Sequence, residues 1–526
     1  MNRRAIALLF ACSLLLAQEG GDPATSQVPA QSAVVVRLPS LDRVDAASPE
    51  ILPFIGAFLD EKHRKMFAEM PVSRHLVQES GLDEAAWDRT RPFYLCLIGR
   101  DDGLLLLPAA ADAAWEGEKA LTHGNVAILR DGVIRAGEAD QVGVEGRGTP
   151  TELLPGDLSL HVYLGEVVGR NKERIDGFFA RMQAMSGMLP LPAAFSKLPG
   201  LSIAAAQECV NGVESFDYAF TWKGGSLHSE GLLRTRAGTP LNAFFSRVGT
   251  PGDNDLVGFL PTNAFMVADF VGDPTWPVQE MMAFLDKGLG EGVGRALLGT
   301  EGGIEVWSQA TGRRAVAVSV GAFMAASTTS VTELKEENQV AALLKAHDVA
   351  PLNQSLKDAG LPIVIRFEPS VAKHGETELH RVAVASEDPS LAMMAAMSQS
   401  YLAVEGRYLL GVQSLNAEAE LKALIDRVRK GERVDHPHAA AMGRLGRKHN
   451  VGFTVNLGAP KQMLLMLAPM IEMQQPGASK VLGAIPDSMP MSTAITFQNG
   501  EASWRGDWPA KEIAAIAQAA TALPKP

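Results

Sequence analysis

From Leu256 to Leu289 an apolar run, a Gly/Pro break and a striped segment follow one another. Ala264–Phe270 predicts a strand. Phe265 and Val267 alternate with Met266 and Ala268, and since both sets are apolar the strand is expected to be buried on both faces. Gly272-Asp273-Pro274 breaks it, because Gly permits positive φ and Pro removes a backbone donor. Pro277 suits a first helical position, and Val278, Met281, Met282 and Leu285 then form one apolar helix stripe.

The same grammar occurs three more times. Val34–Val36 precedes a stripe of Ile51, Phe54, Ile55 and Phe58. Leu160, Val162 and Leu164 alternate with Ser159, His161 and Tyr163, and Ile175, Phe178, Phe179 and Met182 follow. Val451, Phe453, Val455 and Leu457 alternate strictly ahead of Met463, Met466, Leu467 and Met470, where Pro469 is expected to kink or end the helix.

Between these units lie hairpin patterns. Asp101-Asp102-Gly103 divides the run 93–107, Asp131-Gly132 divides Val126–Ala136, and Gly224-Gly225 divides Phe216–Trp222 from Ser226–Thr235. Pro240 opens a short helix. Further on, Gly303–Gln309 is expected to pair with Ala315–Val320, and Val331–His347 to be helical. Ile363–Phe367 pairs with Leu379–Ala385, and Tyr401–Val404 with Tyr408–Val412. Leu421, Leu424, Ile425 and Val428 stripe a helix. Asn499-Gly500 turns a last hairpin before a closing helix at Pro509. Many hairpins with intervening helices predict an α+β fold rather than a doubly wound parallel sheet. The order strand–helix, hairpins, strand–helix, hairpin, Pro-initiated helix runs twice. We therefore expect a duplication of about 220–270 residues per half: two similar lobes, each a curved, mainly antiparallel sheet with helices packed on one face. The lobes are placed at 33–248 and 257–521, and the Gly, Pro and acidic stretch 249–256 is the expected linker.

Composition narrows the class. The chain has 526 residues, which suggests roughly two to four domains. Its net charge of −12 disfavours nucleic acid and anionic lipid surfaces, and the densest basic run, around Arg444, reads as a solvated loop or helix end. At the N-terminus Arg3 and Arg4 precede an apolar core of about 13 residues, the pattern of a secretory signal peptide over residues 1–17. Cleavage is expected between Ala17 and Gln18, followed by a flexible leader over 18–32. Cys12, in Leu9-Phe10-Ala11-Cys12, offers a rival lipidation site and a membrane anchor. The expected location is therefore secreted or periplasmic, with no spanning segment in the mature chain. Cys96 and Cys209 could pair in an oxidising compartment, although Cys96 lies in an apolar run and reads as a buried free thiol.

No catalytic or metal constellation stands out, and no cofactor is implied. Asp435, His436 and His438 could contribute to a metal site, but a third ligand at diagnostic spacing is missing, and a polar loop before a helix explains them as well. His374 and His380 flank Glu376 and Glu378 without helical spacing. Gly288, Gly290, Gly292 and Gly294 miss the dinucleotide fingerprint because Val293 stands where Gly is needed, which leaves a helix-ending loop. Ser226 and His228 lie in a hairpin, not in a nucleophile elbow. Met463, Met466, Met470 and Met473 read as a core stripe, with a soft-metal site or a Met-lined apolar groove as alternatives. Trp222, Trp504 and Trp508 read as packing at the sheet–helix junction, or as sugar-stacking surfaces.

Leu260-Pro261 with Ala264–Val267, more loosely Ala33–Val36 with Leu38-Pro39, and Trp508-Pro509 before the last helix carry a resemblance. In these the chain resembles the large, uncharacterised secreted proteins of environmental bacteria that repeat an LP…AxVxV strand before a helix. That family implies no activity and no site residues. The expected function is an extracytoplasmic binding or scaffold protein whose partner is a small apolar ligand or an envelope protein. The alternatives are a secreted hydrolase with a dispersed site and a carrier or chaperone for lipid or envelope proteins. An apolar cavity would favour the carrier, and a polar cleft where His436 or His438 meets carboxylates would favour the hydrolase.

Overall fold

A computed structural model describes residues 27–29, 32–43, 45–46, 74, 82–98, 103–121, 125–145, 153–156, 158–186, 197–223, 225–290, 292–294, 303–320, 326–358, 360, 363–386, 399–474 and 477–521. The expected cleavage site at Ala17 and Gln18, Cys12 and the stripe Ile51–Phe58 lie outside the described residues.

The fold is mixed α and β around one antiparallel sheet of 19 strands. In chain order the strands are β1 Val34–Leu38, β2 Phe93–Leu97, β3 Gly103–Pro108, β4 Lys119–Ala120, β5 Val126–Arg130, β6 Val133–Gly137, β7 Leu158–Val162, β8 Val213–Lys223 and β9 Ser226–Thr235. They continue with β10 Met266–Val271, β11 Ala310–Val320, β12 Ala326–Leu334, β13 Ile363–His374, β14 Thr377–Ser386, β15 Gln399–Glu405, β16 Tyr408–Ser414, β17 Val451–Asn456, β18 Pro490–Gln498 and β19 Glu501–Trp508. Pairing joins them all: β4-β5-β6-β3-β2-β1-β7-β8-β9 on one side meets β19-β18-β17-β10-β11-β12-β16-β15-β14-β13 on the other through β9 and β19.

Read outward from that junction, the two sides use the same order of pairing. The hairpins beside it agree in register as well: Asp217 faces Leu232 as Ser492 faces Asp507, and Trp222 faces Leu227 as Phe497 faces Ala502. Glu230 and Arg505, 275 residues apart, pair with each other at the centre of the junction, with Nε to Oε1 at 2.8 Å. Next to them Trp504 lies across Gly231, where any Cβ would overlap the indole ring.

Turn chemistry explains the tight hairpins. Asp131 and Gly132, and Asn499 and Gly500, all have positive φ, as a two-residue turn matched to strand twist requires. Thr239 caps the helix Pro240–Arg247 by accepting from the Asn242 N–H at 3.3 Å, and Pro240 fills its first turn.

Several expectations need correction. Gly303–Ser308 is a helix rather than a strand, and the partner of β11 is Ala326–Leu334, so the expected helix over 331–347 is confined to Glu337–Lys345. Pro469 lies inside the continuous helix Lys461–Gln474. Helices cover both faces of the sheet, not one. Near β15, Leu421, Leu424 and Ile425 pack with Ala403 and Leu410 on one side, while Val340 and Leu344 pack with Leu402 and Leu409 on the other. The stretch 249–256 is built into the fold: Gly252 bridges His449, the Asn254 amide donates to the Phe270 and Arg314 carbonyls, and Leu256 is fully buried.

Replacing Gly231 by Val forces a branched side chain into the Trp504 ring. The expected loss is roughly 1–3 kcal/mol of stability, read as a lower urea midpoint. Gly177→Ala, on an open helix surface, should leave the midpoint unchanged or slightly raised.

Candidate functional site

Strand alternation gives the central strands two unlike faces. One carries Val451, Phe453 and Val455 on β17 and Phe216, Tyr218 and Phe220 on β8. The other carries Gly452 and Thr454, and Ser215, Asp217 and Ala219. The polar and small set is the buried one, and each apolar residue just named is only half-buried. This reverses the expectation that β10 is buried on both faces. Val267 and Asp269 are buried, but Met266, Ala268 and Phe270 are half open.

Pairing continues this apolar face across seven adjacent strands from β10 through β17, β18, β19, β9 and β8 to β7, about 29 Å at ordinary strand spacing. It is half open on β10, β17, β18 and β8, whereas on β19 and β9 Ala502, Gly506, Leu227, Ser229 and Gly231 are buried and only Trp504 and Leu233 are half open. Its centre is an aromatic group: Trp504 lies 5.5 Å from Phe216 and 5.8 Å from Tyr218, and Tyr218 lies 4.5 Å from Phe220. Two helices flank it. Phe245 of Pro240–Arg247 meets Phe497 at 5.1 Å, and Ala510 of the closing helix Ala510–Thr521 packs with Trp222 and Leu227. The remaining helices of these two groups pack chiefly on one another: Lys172–Ser186 on Leu198–Gly212, and Lys461–Gln474 on Ala478–Ala484. The half-open residues, with the two flanking helices, form an apolar strip along the sheet, termed the trough below. The outer helices also expose apolar side chains. Met466, Met470 and Met473 are 73%, 64% and 80% exposed, which overturns their reading as core, while the Met463 side chain lies outside the described residues. Phe178, Met182 and Met185, and Met281 on Trp276–Leu289, are also exposed.

Behind the trough floor lies a polar cluster. His438 Nε2 is 2.8 Å from Asp269 Oδ1, and His449 Nε2 is 2.8 Å from Asp269 Oδ2. His438 Nδ1 is 2.7 Å from Thr454 Oγ1, which is 3.0 Å from Ser492 Oγ. The side chains of Asp269, His438 and His449 are 1%, 1% and 3% exposed. Asp269 faces Gly452 across the β10–β17 ladder, and a Cβ at Gly452 would overlap the Asp269 carboxylate and come within 2.8 Å of His449 Nε2. Burial disfavours the charged carboxylate, but hydrogen bonds from His438 and His449 outweigh it and hold the Asp269 pKa below its ordinary value. Burial likewise works against the His449 imidazolium. The Asp269 hydrogen bond and charge, with smaller help from the Arg447 backbone and the Asp253 charge, overcome it and raise the His449 pKa.

A cavity of about 320 Å³ opens over this cluster, lined by Asp253, Asn254, Asp255, Val257, Ala439, Met442, Gly443 and Arg447 in addition to the three buried groups. In the other half the register-matched positions of Thr454 and Ser492 hold His161 and Asp217. His161 Nδ1 is 2.5 Å from Asp217 Oδ1, and Asp217 also accepts from Arg234.

The structure separates the sequence candidates. His436 caps the helix Pro437–Leu445: its Nδ1 accepts from the His438 N–H at 3.1 Å and its Nε2 meets the Pro261 carbonyl at 3.0 Å. Burial lowers its pKa, and with both ring nitrogens engaged it has no lone pair for a metal. Asp435 is exposed, and only His438 joins the cluster. Among the described residues no group of three or more His, Cys, Asp or Glu has metal-binding geometry. His374 meets Asp426, whereas His380 stacks on Phe367. Gly290 ends the helix Trp276–Leu289, its N–H donating to the Asp286 carbonyl. Cys96 is buried and Cys209 exposed, both as free thiols. Trp222 is core, Trp504 floors the trough and Trp508 is exposed. Asp269 and His449 were missed. The available signal was an acid inside the apolar strand MVADFV, opposite a glycine in VGFTVN.

No known protein family, curated protein or solved structure matches the chain.

Removing the Asp269 carboxylate strands buried histidines, so Asp269→Ala should cost roughly 3–5 kcal/mol, measured by chemical denaturation. The pH dependence follows in sign. The raised His449 pKa contributes stability in full below about 6.5, lost as pH rises through the folded value. The lowered Asp269 pKa contributes stability above the ordinary carboxylate range, lost as pH falls through its folded value. Thermal melts should therefore show a decline from mildly acidic to alkaline pH that His449→Gln flattens.

Proposed function

We propose that the protein is an extracytoplasmic carrier or binding protein for an apolar, lipid-like ligand that lies in the trough. The observation that carries this reading is the reversed alternation of the central strands. On β8, β17 and β18 a row of Phe, Tyr, Ile and Val is left half open while Asp, Thr and Ser are covered, and Trp504 is half open between them. Leaving that much apolar surface beside water is unfavourable at about 25 cal/mol per Å², and an apolar ligand removes the penalty. The N-terminal export pattern supplies the location, and no described helix is long and apolar enough to cross a membrane.

The finer architecture belongs to the same proposal. The chain is a duplication whose two halves, 33–248 and 257–521, share one sheet, and the matched order and register around β9 and β19 support it. The trough then straddles the junction and draws on both halves.

One observation favours a second reading, a secreted hydrolase. The chain Thr454–His438–Asp269 has the hydrogen-bond order of a hydroxyl nucleophile, base and orienting acid, and His438 meets carboxylates at a polar cleft. It ranks second because Thr454 is buried and no Ser, Thr or Cys lines the cavity.

The mature protein, purified without detergent and extracted with organic solvent, is expected to release an amphiphile detectable by mass spectrometry and to bind a fluorescent fatty-acid probe saturably. Ile495→Asp, which puts a carboxylate on the trough floor, should weaken probe binding at least tenfold. An empty protein that ignores the probe would refute the carrier. Ester hydrolysis abolished by His438→Ala would establish the second reading instead.

A further inference from the structure

The cavity over Asp269 lies on the opposite face of β10 from the trough, and its chemistry is different. Its floor is preorganised: each Asp269 oxygen is taken by one imidazole, so the floor presents a rigid, internally neutralised surface rather than a free charge. Val257 and Met442 supply buried apolar wall. The rim carries three charged side chains. Asp255 is already committed, to Arg313 Nη1 at 3.0 Å and to Arg433. Arg447 and Asp253 are exposed and have no side-chain ion pair or hydrogen bond among the described residues. One unpaired cation and one unpaired anion therefore border a small cleft.

That combination selects among ligands. A simple anion would gain Arg447 but meet Asp253 and Asp255, and a simple cation would gain Asp253 but meet Arg447. A molecule with both charges a few bonds apart satisfies both sides. A guanidinium fork also suits a planar carboxylate, which it can grip with two parallel hydrogen bonds. The volume, about 320 Å³, is at the small end of ligand pockets.

We propose that this cavity is a binding site for a small zwitterion of the α-amino-acid type, with its carboxylate on Arg447, its ammonium on Asp253 and its side chain between Val257 and Met442. The site is independent of the trough and of what the trough holds.

The test is calorimetric titration of the full mature protein with leucine, glycine, acetate, methylammonium, N-acetyl-leucine and a Leu-Leu dipeptide. Leucine is expected to bind saturably and at least tenfold more tightly than acetate, methylammonium or N-acetyl-leucine. The dipeptide, whose ammonium and carboxylate lie several bonds further apart, is expected to bind at least tenfold more weakly than leucine, and equal binding would overturn the α-amino-acid assignment. Arg447→Met and Asp253→Asn are surface changes expected to leave the melting temperature unchanged and to weaken leucine at least tenfold each. Absence of leucine binding to the wild type, equal binding of acetate or methylammonium, or leucine binding unaffected by both substitutions would overturn the proposal.

Discussion

The period-two alternation of the central strands is the constraint from which the rest follows. On β8, β10 and β17 each residue that opens toward the trough places its neighbour under the opposite layer. A trough floored by Phe216, Tyr218 and Phe453 therefore commits Asp217, Asp269 and Thr454 to burial. The two faces are chosen together. A strand cannot line a greasy surface on one side without assigning every second residue to whatever covers the other.

The polar cluster is how the covered side accommodates that commitment. A buried carboxylate is costly unless its lone pairs are filled. Asp269 is filled from two directions, by His438 on the helix Pro437–Leu445 and by His449 just ahead of β17. His436 fixes the start of the same helix by capping it, so the two histidines of the Asp-His-Pro-His stretch divide into one that shapes the backbone and one that pairs the acid. Gly452 completes the arrangement by leaving the space that the carboxylate occupies. The matched positions in the other half reach a different solution, a His161–Asp217 pair with Arg234, on the same ladder geometry.

Much of the local structure was legible in the residues. Asp131-Gly132 and Asn499-Gly500 identified two hairpins because few other residues tolerate positive φ at both turn positions. The stripe Leu421, Leu424, Ile425 and Val428 identified a helix that is buried as its spacing implies. What the residues could not convey was which side of a strand is covered. Alternation in VGFTVN specifies two faces but not their burial: Gly452 and Thr454 are covered, while Val451, Phe453 and Val455 are half open. The methionines of Lys461–Gln474 misled for a related reason: helical spacing says that they share a face, not that anything lies against it. Gly303–Ser308 misled because the β-branched, aromatic run GIEVWS has strand propensity, which tertiary context overrides in a segment this short. The polar cluster needed residues far apart in the chain, and only the unusual acid in MVADFV pointed toward it.

The junction of β9 with β19 also bears on how the sheet hides two strand edges. Two antiparallel strands whose central residues, Glu230 and Arg505, occupy matching places in matching hairpins have the arrangement by which two identical chains would zip edge to edge around a twofold axis. A self-complementary edge of that kind recruits further copies whenever it is bare. Here both edges belong to one polypeptide, so each has a permanent mate. The matched positions are filled differently: Trp504 lies over Gly231, whereas a Cβ at Gly506, the position 275 residues on, would meet Ser229 Oγ and the Trp508 indole.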